Sequence, residues 1–197
     1  MAKLNGLGEI TSNFLLNDFN VYVMNTSATG GYDSGDWELL GFTSAEKNVN
    51  RVQEKYEKEG KIPRVVQYTK TIRKGLELSY ELSNFNTSFA AEIQQATLVS
   101  LGGTGTQLDS GTQEATKVYR AYLLTSDLDD GTHYNIVIPK SDTQLAGEQT
   151  VGGETETVWP LVTKAVYNPA ATATKNLYYE QWLDSSVSAT AVIPPGF

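Results

Sequence analysis

Residues 76–83 read Leu-Glu-Leu-Ser-Tyr-Glu-Leu-Ser. Strand side chains alternate between faces, so Leu76, Leu78, Tyr80 and Leu82 share one face while Glu77, Ser79, Glu81 and Ser83 share the other. Wound as a helix, this segment would scatter its apolar groups around the axis; as a strand it buries them together. The same two-residue period, in segments rich in Val, Ile, Thr, Tyr and Trp, recurs at 20–25, 37–43, 65–72, 118–124, 134–138, 158–167 and 177–183. The chain is therefore expected to be mainly β.

Turn chemistry falls between these runs. Asp130-Gly131 separates 118–124 from 134–138 and predicts a hairpin, because Gly accepts positive φ at low cost. Lys74-Gly75 is read the same way between 65–72 and 76–83, and Pro160 inside a strand-like run predicts an edge or a bulge. One flanking α-helix is expected over about residues 87–100. Asn86, Thr87 and Ser88 can cap it, Phe89, Ile93, Ala96 and Leu98 fall near one side, and Gly102-Gly103 would stop it. Residues 44–64 carry mixed charge between two strands and are read as a long loop, and 102–116 as a flexible Gly/Ser/Thr link. Residues 1–197 are read as a single domain with an N-terminal arm, 1–18, and a C-terminal tail, 184–197, that ends in Pro194-Pro195-Gly196.

Chemistry is scarce. With 15 Lys and Arg against 23 Asp and Glu the formal charge is −8, which disfavours stable phosphate binding to nucleic acid. The absence of cysteine excludes disulfides, thiolate metal sites and cysteine nucleophiles. His133 is the one histidine; it cannot build a multi-histidine metal site and is assigned a structural role after a turn. The run Asp127-Leu128-Asp129-Asp130-Gly131 resembles a calcium loop, but its glycine comes one position early and no Glu closes it. Gly102-Gly103-Thr104-Gly105 lacks the rest of a phosphate-binding signature. Glu77 and Glu81, four strand residues apart, would sit about 13 Å from each other, too far for a glycosidase pair. No catalytic residue, cofactor-binding residue or metal ligand is proposed; the expectation is a non-enzyme without a cofactor that works through its surface. The first residues lack the apolar core of a signal peptide, and no run reaches the roughly 20 apolar residues of a membrane span.

The order of segments resembles a known family. Trp37-Glu38-Leu39-Leu40-Gly41-Phe42-Thr43, then a charged segment, then residues 66–82 from Val66-Gln67-Tyr68 to Tyr80-Glu81-Leu82, then the helix after Asn84-Phe85-Asn86, is similar to the major tail proteins, or tail tube subunits, of long-tailed bacteriophages. Residues 134–140, Tyr-Asn-Ile-Val-Ile-Pro-Lys, followed by residues 158–165, Val-Trp-Pro-Leu-Val-Thr-Lys-Ala, look like a strand pair of that family. The resemblance covers roughly residues 20 to 183. It implies a β-sandwich or barrel of two antiparallel sheets with one flanking α-helix, and a structural virion protein whose hexameric rings stack into a hollow conduit for genome delivery. The partners it implies are further copies of the chain and the tape measure, tail tip and terminator proteins. Viral DNA would pass through without specific binding, which an acidic lumen favours. On this reading Glu46, Lys47, Arg51, Glu54, Lys55, Glu57 and Lys58 form contacts between subunits or rings, and Glu77, Ser79 and Glu81 form a lumen-facing polar row. The rival is a monomeric β-sandwich carbohydrate-binding module, with Trp37, Trp159, Trp182 and some of the tyrosines as a stacking platform; against it, Trp159 and Trp182 lie inside apolar strand runs and are expected to be core residues.

Overall fold

The structure is a computed structural model that describes residues 19–24, 37–43, 48–59, 66–83, 87–110, 117–128, 131–147, 158–171, 174–184 and 186–187. Its strands are β1 (Asn20–Met24), β2 (Trp37–Phe42), β3 (Asn48–Glu59), β4 (Val66–Leu82), β5 (Thr97–Ser100), β6 (Thr106–Asp109), β7 (Arg120–Asp127), β8 (His133–Leu145), β9 (Trp159–Ala165) and β10 (Tyr179–Leu183). The helix among the described residues is α1 (Thr87–Ile93). One eight-stranded sheet runs β2-β1-β7-β8-β9-β4-β3, with β10 also paired to β8, and β5-β6 form a separate two-stranded sheet. Every pairing is antiparallel, so the chain is mainly β with one short helix.

β8 organises the sheet. One of its edges pairs with β7; the other is divided, residues 133–137 taking β10 and residues 141–145 taking β9. The division falls at a bulge, where Ile138 and Ser141 on β8 oppose Tyr122 and Arg120 on β7, so that two residues face one. Pro139 sits in that bulge, where its missing N–H leaves no ladder bond broken.

Alternation decides which face is covered. Val21 and Val23, Leu76, Leu78, Tyr80 and Leu82, Tyr122 and Leu124, Tyr134, Ile136 and Ile138, and Leu161 converge in one buried cluster with Phe89 of α1. Each fully buried aliphatic side chain contributes about 1.5–3 kcal/mol. The sheet curls over this cluster from both ends. Thr43, just after β2, bridges to Leu82 at the end of β4, and Ser83 N donates to Phe42 O at 3.2 Å. On the other side, Arg51 of β3 reaches Glu180 of β10 at 2.7 Å. The ladder stops at the Thr43–Leu82 bridge, so the barrel does not close. A second cluster, Met24, Trp37, Ala121, Leu123 and Val137, lies on the opposite face.

α1 docks through Phe89, Ala90 and Ala91, and its Glu92 carboxylate accepts from Arg120 Nε at 2.6 Å and from the outer guanidinium nitrogen at 2.6 Å. The same Arg120 donates to the carbonyl of Met24 at 2.8 Å, tying helix, β7 and β1 together.

Four expectations are corrected. The helix expected over 87–100 ends at Ile93. Gln95 adopts φ 52°, and bonds from Ala96 N to Ala91 O at 2.8 Å and from Gln95 N to Glu92 O at 3.2 Å close it before the glycines. The segment expected to be a long loop at 44–64 is β3 over most of its length, because β4 gives its backbone groups partners from Asn48 to Glu59. Lys74-Gly75 makes no turn; β4 runs through it, with Gly75 opposite Val52. The link expected at 102–116 holds β6 and the turn that joins it to β5, with positive φ at Gly102, Gly103 and Gly105. β7 and β8 pair as the expected hairpin, with Gly131 at φ 82° between them, while Asp130 lies outside the described residues. The arm at 1–18 and residues 188–197 of the tail lie outside the described residues.

Candidate interaction surfaces

β3 and β4 are 12 and 17 residues long, but β9 covers β4 only from Glu77 to Leu82. Beyond that point, residues 66–76 of β4 pair with β3 alone, and β3 has no further strand beside it. The two strands thus leave the body of the sheet as a ribbon whose outer main-chain edges are unpaired among the described strands. Such edges are templates for another strand. The ribbon is highly charged, and Glu54, Lys55 and Tyr56 on it are exposed. Charge on an exposed edge limits promiscuous pairing and leaves room for a matched partner.

Of the residues expected to contact neighbours, Arg51, Glu54 and Lys55 lie on β3. Glu57 and Lys58 are also in β3, placed by their backbone alone opposite Thr69 and Tyr68. Glu46 and Lys47 lie outside the described residues. Arg51 already has a partner within the chain. Its Nε donates to Glu180 Oε1 at 2.7 Å and a terminal nitrogen donates to Tyr134 Oη at 3.1 Å, while Tyr134 donates to Glu180 Oε2 at 2.8 Å. Burial alone would raise the Glu180 carboxyl, but the hydrogen bonds from Arg51 and Tyr134 and the Arg51 charge outweigh it, holding the carboxyl below its usual range. Tyr134 is pushed above the ordinary phenol range by burial and by the neighbouring Glu180 carboxylate.

Glu77, Ser79 and Glu81 are half-buried on the face of β4 opposite the core. The register places Lys164 of β9 opposite Glu77 and also opposite Asp142 of β8. Lys164 Nζ is 3.5 Å from Glu77, and Lys117 Nζ is 2.6 Å from Asp142. This row alternates in sign across three strands, so Glu77 stands neutralised. Beside it, Asn48, Ser79, Glu81, Pro160 and Val162 line an open groove of about 420 Å³.

The three tryptophans are not brought together. Trp37 is buried in the second cluster, Trp159 is half-buried at the start of β9, and Trp182 on β10 is 64% exposed. Trp182 was expected from its apolar run to be a core residue, yet β10 has only β8 beside it and its side chain emerges at that edge. Its ring lies 5.2 Å from that of Tyr134 at 40°.

Tyr80, Thr163 and Thr143, on the adjacent strands β4, β9 and β8, form a hydroxyl chain, 2.8 and 2.9 Å apart, which satisfies their polar groups within the sheet. His133 Nδ1 lies 2.7 Å from Asp127 across the hairpin, in keeping with a structural role. Among the described residues no group of three or more His, Asp or Glu could hold a metal, and no helix is long and apolar enough to cross a membrane. Comparison with protein-family models and with curated proteins finds no match.

Proposed function

We propose that this chain is a self-assembling structural subunit of the kind that builds the tail tube of a long-tailed phage, working in the virion by ring formation and stacking rather than by catalysis. The observation that carries the reading is the β3-β4 ribbon, which leaves the sheet with both edges open. An open edge at one end of a subunit and a different open edge at the other allow head-to-tail contacts, which close into a ring when the rotation permits. β2 supplies such an edge at the opposite end of the sheet, with Leu39 and Phe42 exposed. The fold resemblance noted in the sequence adds the stacked, hollow form. In a conduit the alternating row Glu77–Lys164–Asp142 would give a wall with little net charge, and Glu81 would supply the repulsion to phosphate.

The test removes the ribbon and spares the body. Replacing residues 54–73 by Asn-Gly joins Gln53 to Lys74, which already face each other, through a two-residue hairpin turn. The native chain should form rings or tubes in negative-stain micrographs as its concentration rises. The shortened chain should keep its circular dichroism spectrum and stay monomeric. Assemblies of unchanged form from the shortened chain would sink the proposal, as would a native chain that stays monomeric even when seeded with preformed tail tips.

A further inference from the structure

The exposed end of β10 carries a second feature that assembly does not use. Glu180 and Trp182 are two residues apart on one strand, so their side chains leave the same face about 7 Å from each other. That is roughly the span of one sugar ring. Tyr134 supports the Trp182 ring on one side, and at 64% exposure the indole keeps a broad open surface. Next to it, the Glu180 carboxylate is fixed by Arg51 and Tyr134, and its lone pairs are not exhausted by those two bonds. Arg51 uses one hydrogen on Nε and one on a terminal nitrogen, leaving three of its five N–H donors for other acceptors. The Arg51 side chain is 44% exposed and that of Glu180 18%.

We propose that Trp182, Glu180 and Arg51 form a carbohydrate-binding site, in which a pyranose ring stacks its C–H face on the indole while its hydroxyls donate to Glu180 and accept from Arg51. The chemistry matches a polyhydroxylated ligand better than a protein face. The indole stands beside a fixed ion pair, and a protein partner covering it would have to desolvate a charged pair for one aromatic contact. A sugar satisfies the same groups with hydroxyls. The site can be tested apart from the ribbon, since β10 and Arg51, which stands opposite Leu76 at the ribbon's root, both lie outside residues 54–73.

Calorimetric titration of the native chain with cellohexaose, maltohexaose, xylohexaose and chitohexaose in the millimolar range tests it. At least one should bind saturably. Trp182→Ala should weaken that binding by about tenfold or more, the scale of a lost aromatic stack plus its buried area, while Trp182→Phe should retain part of it. Trp182 is exposed, so these variants should melt like the native chain. Arg51→Gln should weaken binding with the indole left in place. Failure of all four sugars to bind saturably would overturn the proposal, as would binding that Trp182→Ala leaves unchanged. If Trp182→Ala instead abolished self-association and no sugar bound, the surface would belong to a second copy and the proposal would fall.

Discussion

Gln95 holds a conformation that L-residues other than Gly and Asn seldom adopt, and it does so because the hydrogen bonds closing α1 require positive φ there. Gln95→Gly should therefore stabilise the protein by about 1 kcal/mol, read as a shift in urea midpoint with unchanged slope. Arg120 stands at the other extreme. Its side chain and that of Glu92 are 19% and 14% exposed, so Arg120→Ala leaves a largely buried carboxylate without its cation and strands the Met24 carbonyl. A loss of about 3 kcal/mol is expected in the same assay. The Glu180 clasp adds a pH dependence. A carboxyl whose pKa is lower folded than unfolded contributes stability above the unfolded value, 4.5, and loses it as pH falls through the folded value. Glu180→Gln should remove that part of the acid-side slope and leave the profile above pH 5 to 6 parallel to that of the native chain.

At the scale of elements, the alternating runs translate almost directly into strands: 20–25 into β1, 37–43 into β2, 134–138 into the buried half of β8. On β1 the two-residue period records one better covered face, whereas 134–138 is buried on both, Ile136 and Ile138 in the first cluster and Val137 in the second. β3 escapes that reading because its residues, Asn-Val-Asn-Arg-Val-Gln-Glu-Lys, are mostly polar on both faces. What makes it a strand is the neighbouring backbone of β4, a partner no local pattern announces. Gly75 misleads for the converse reason, since a glycine between two alternating runs reads as a turn unless one knows that a long partner lies alongside. The early stop of α1 rests on a glutamine in a glycine's position. Of the candidate site residues, Arg51 could be singled out by charge, but its partners lie 83 and 129 residues away and no spacing rule connects them. Trp182 carries the signal of a core residue because its run is apolar, and only the sheet order shows that β10 has an open side. Phe89 tests the one helix directly: Phe89→Ala should cost about 3 to 4 kcal/mol, because α1 has seven residues and depends on that side chain for docking.

For the whole molecule, the buried phenols set an alkaline limit. Burial raises Tyr80 above the usual phenol range, partly offset by its bond to Thr163, and raises Tyr122 as well. A group whose folded pKa is raised contributes stability in full below the unfolded value, 10.0, and loses it as pH rises toward the folded one. Stability should therefore fall steeply above pH 10, and Tyr122→Phe should flatten that fall even though it costs stability at neutral pH through Thr143. The division of β8 between two neighbours has a kinetic meaning as well. β9 and β10 cannot find their places until β8 is aligned, and β8 is aligned by β7 through a short local hairpin, whereas β4 and β1 arrive from far along the chain. The β7-β8 hairpin is thus the natural nucleus of folding, with the distant pairings following on the millisecond-to-second scale of β-rich topologies. Gly131→Ala, which strains the turn at φ 82°, should slow the refolding limb of the chevron several-fold and barely change the unfolding limb. A nascent chain would accordingly stay open to misassembly until residues 133–145 have been made and paired, with the pairs β1-β2 and β3-β4 each holding an unfilled edge until β7 and β9 arrive.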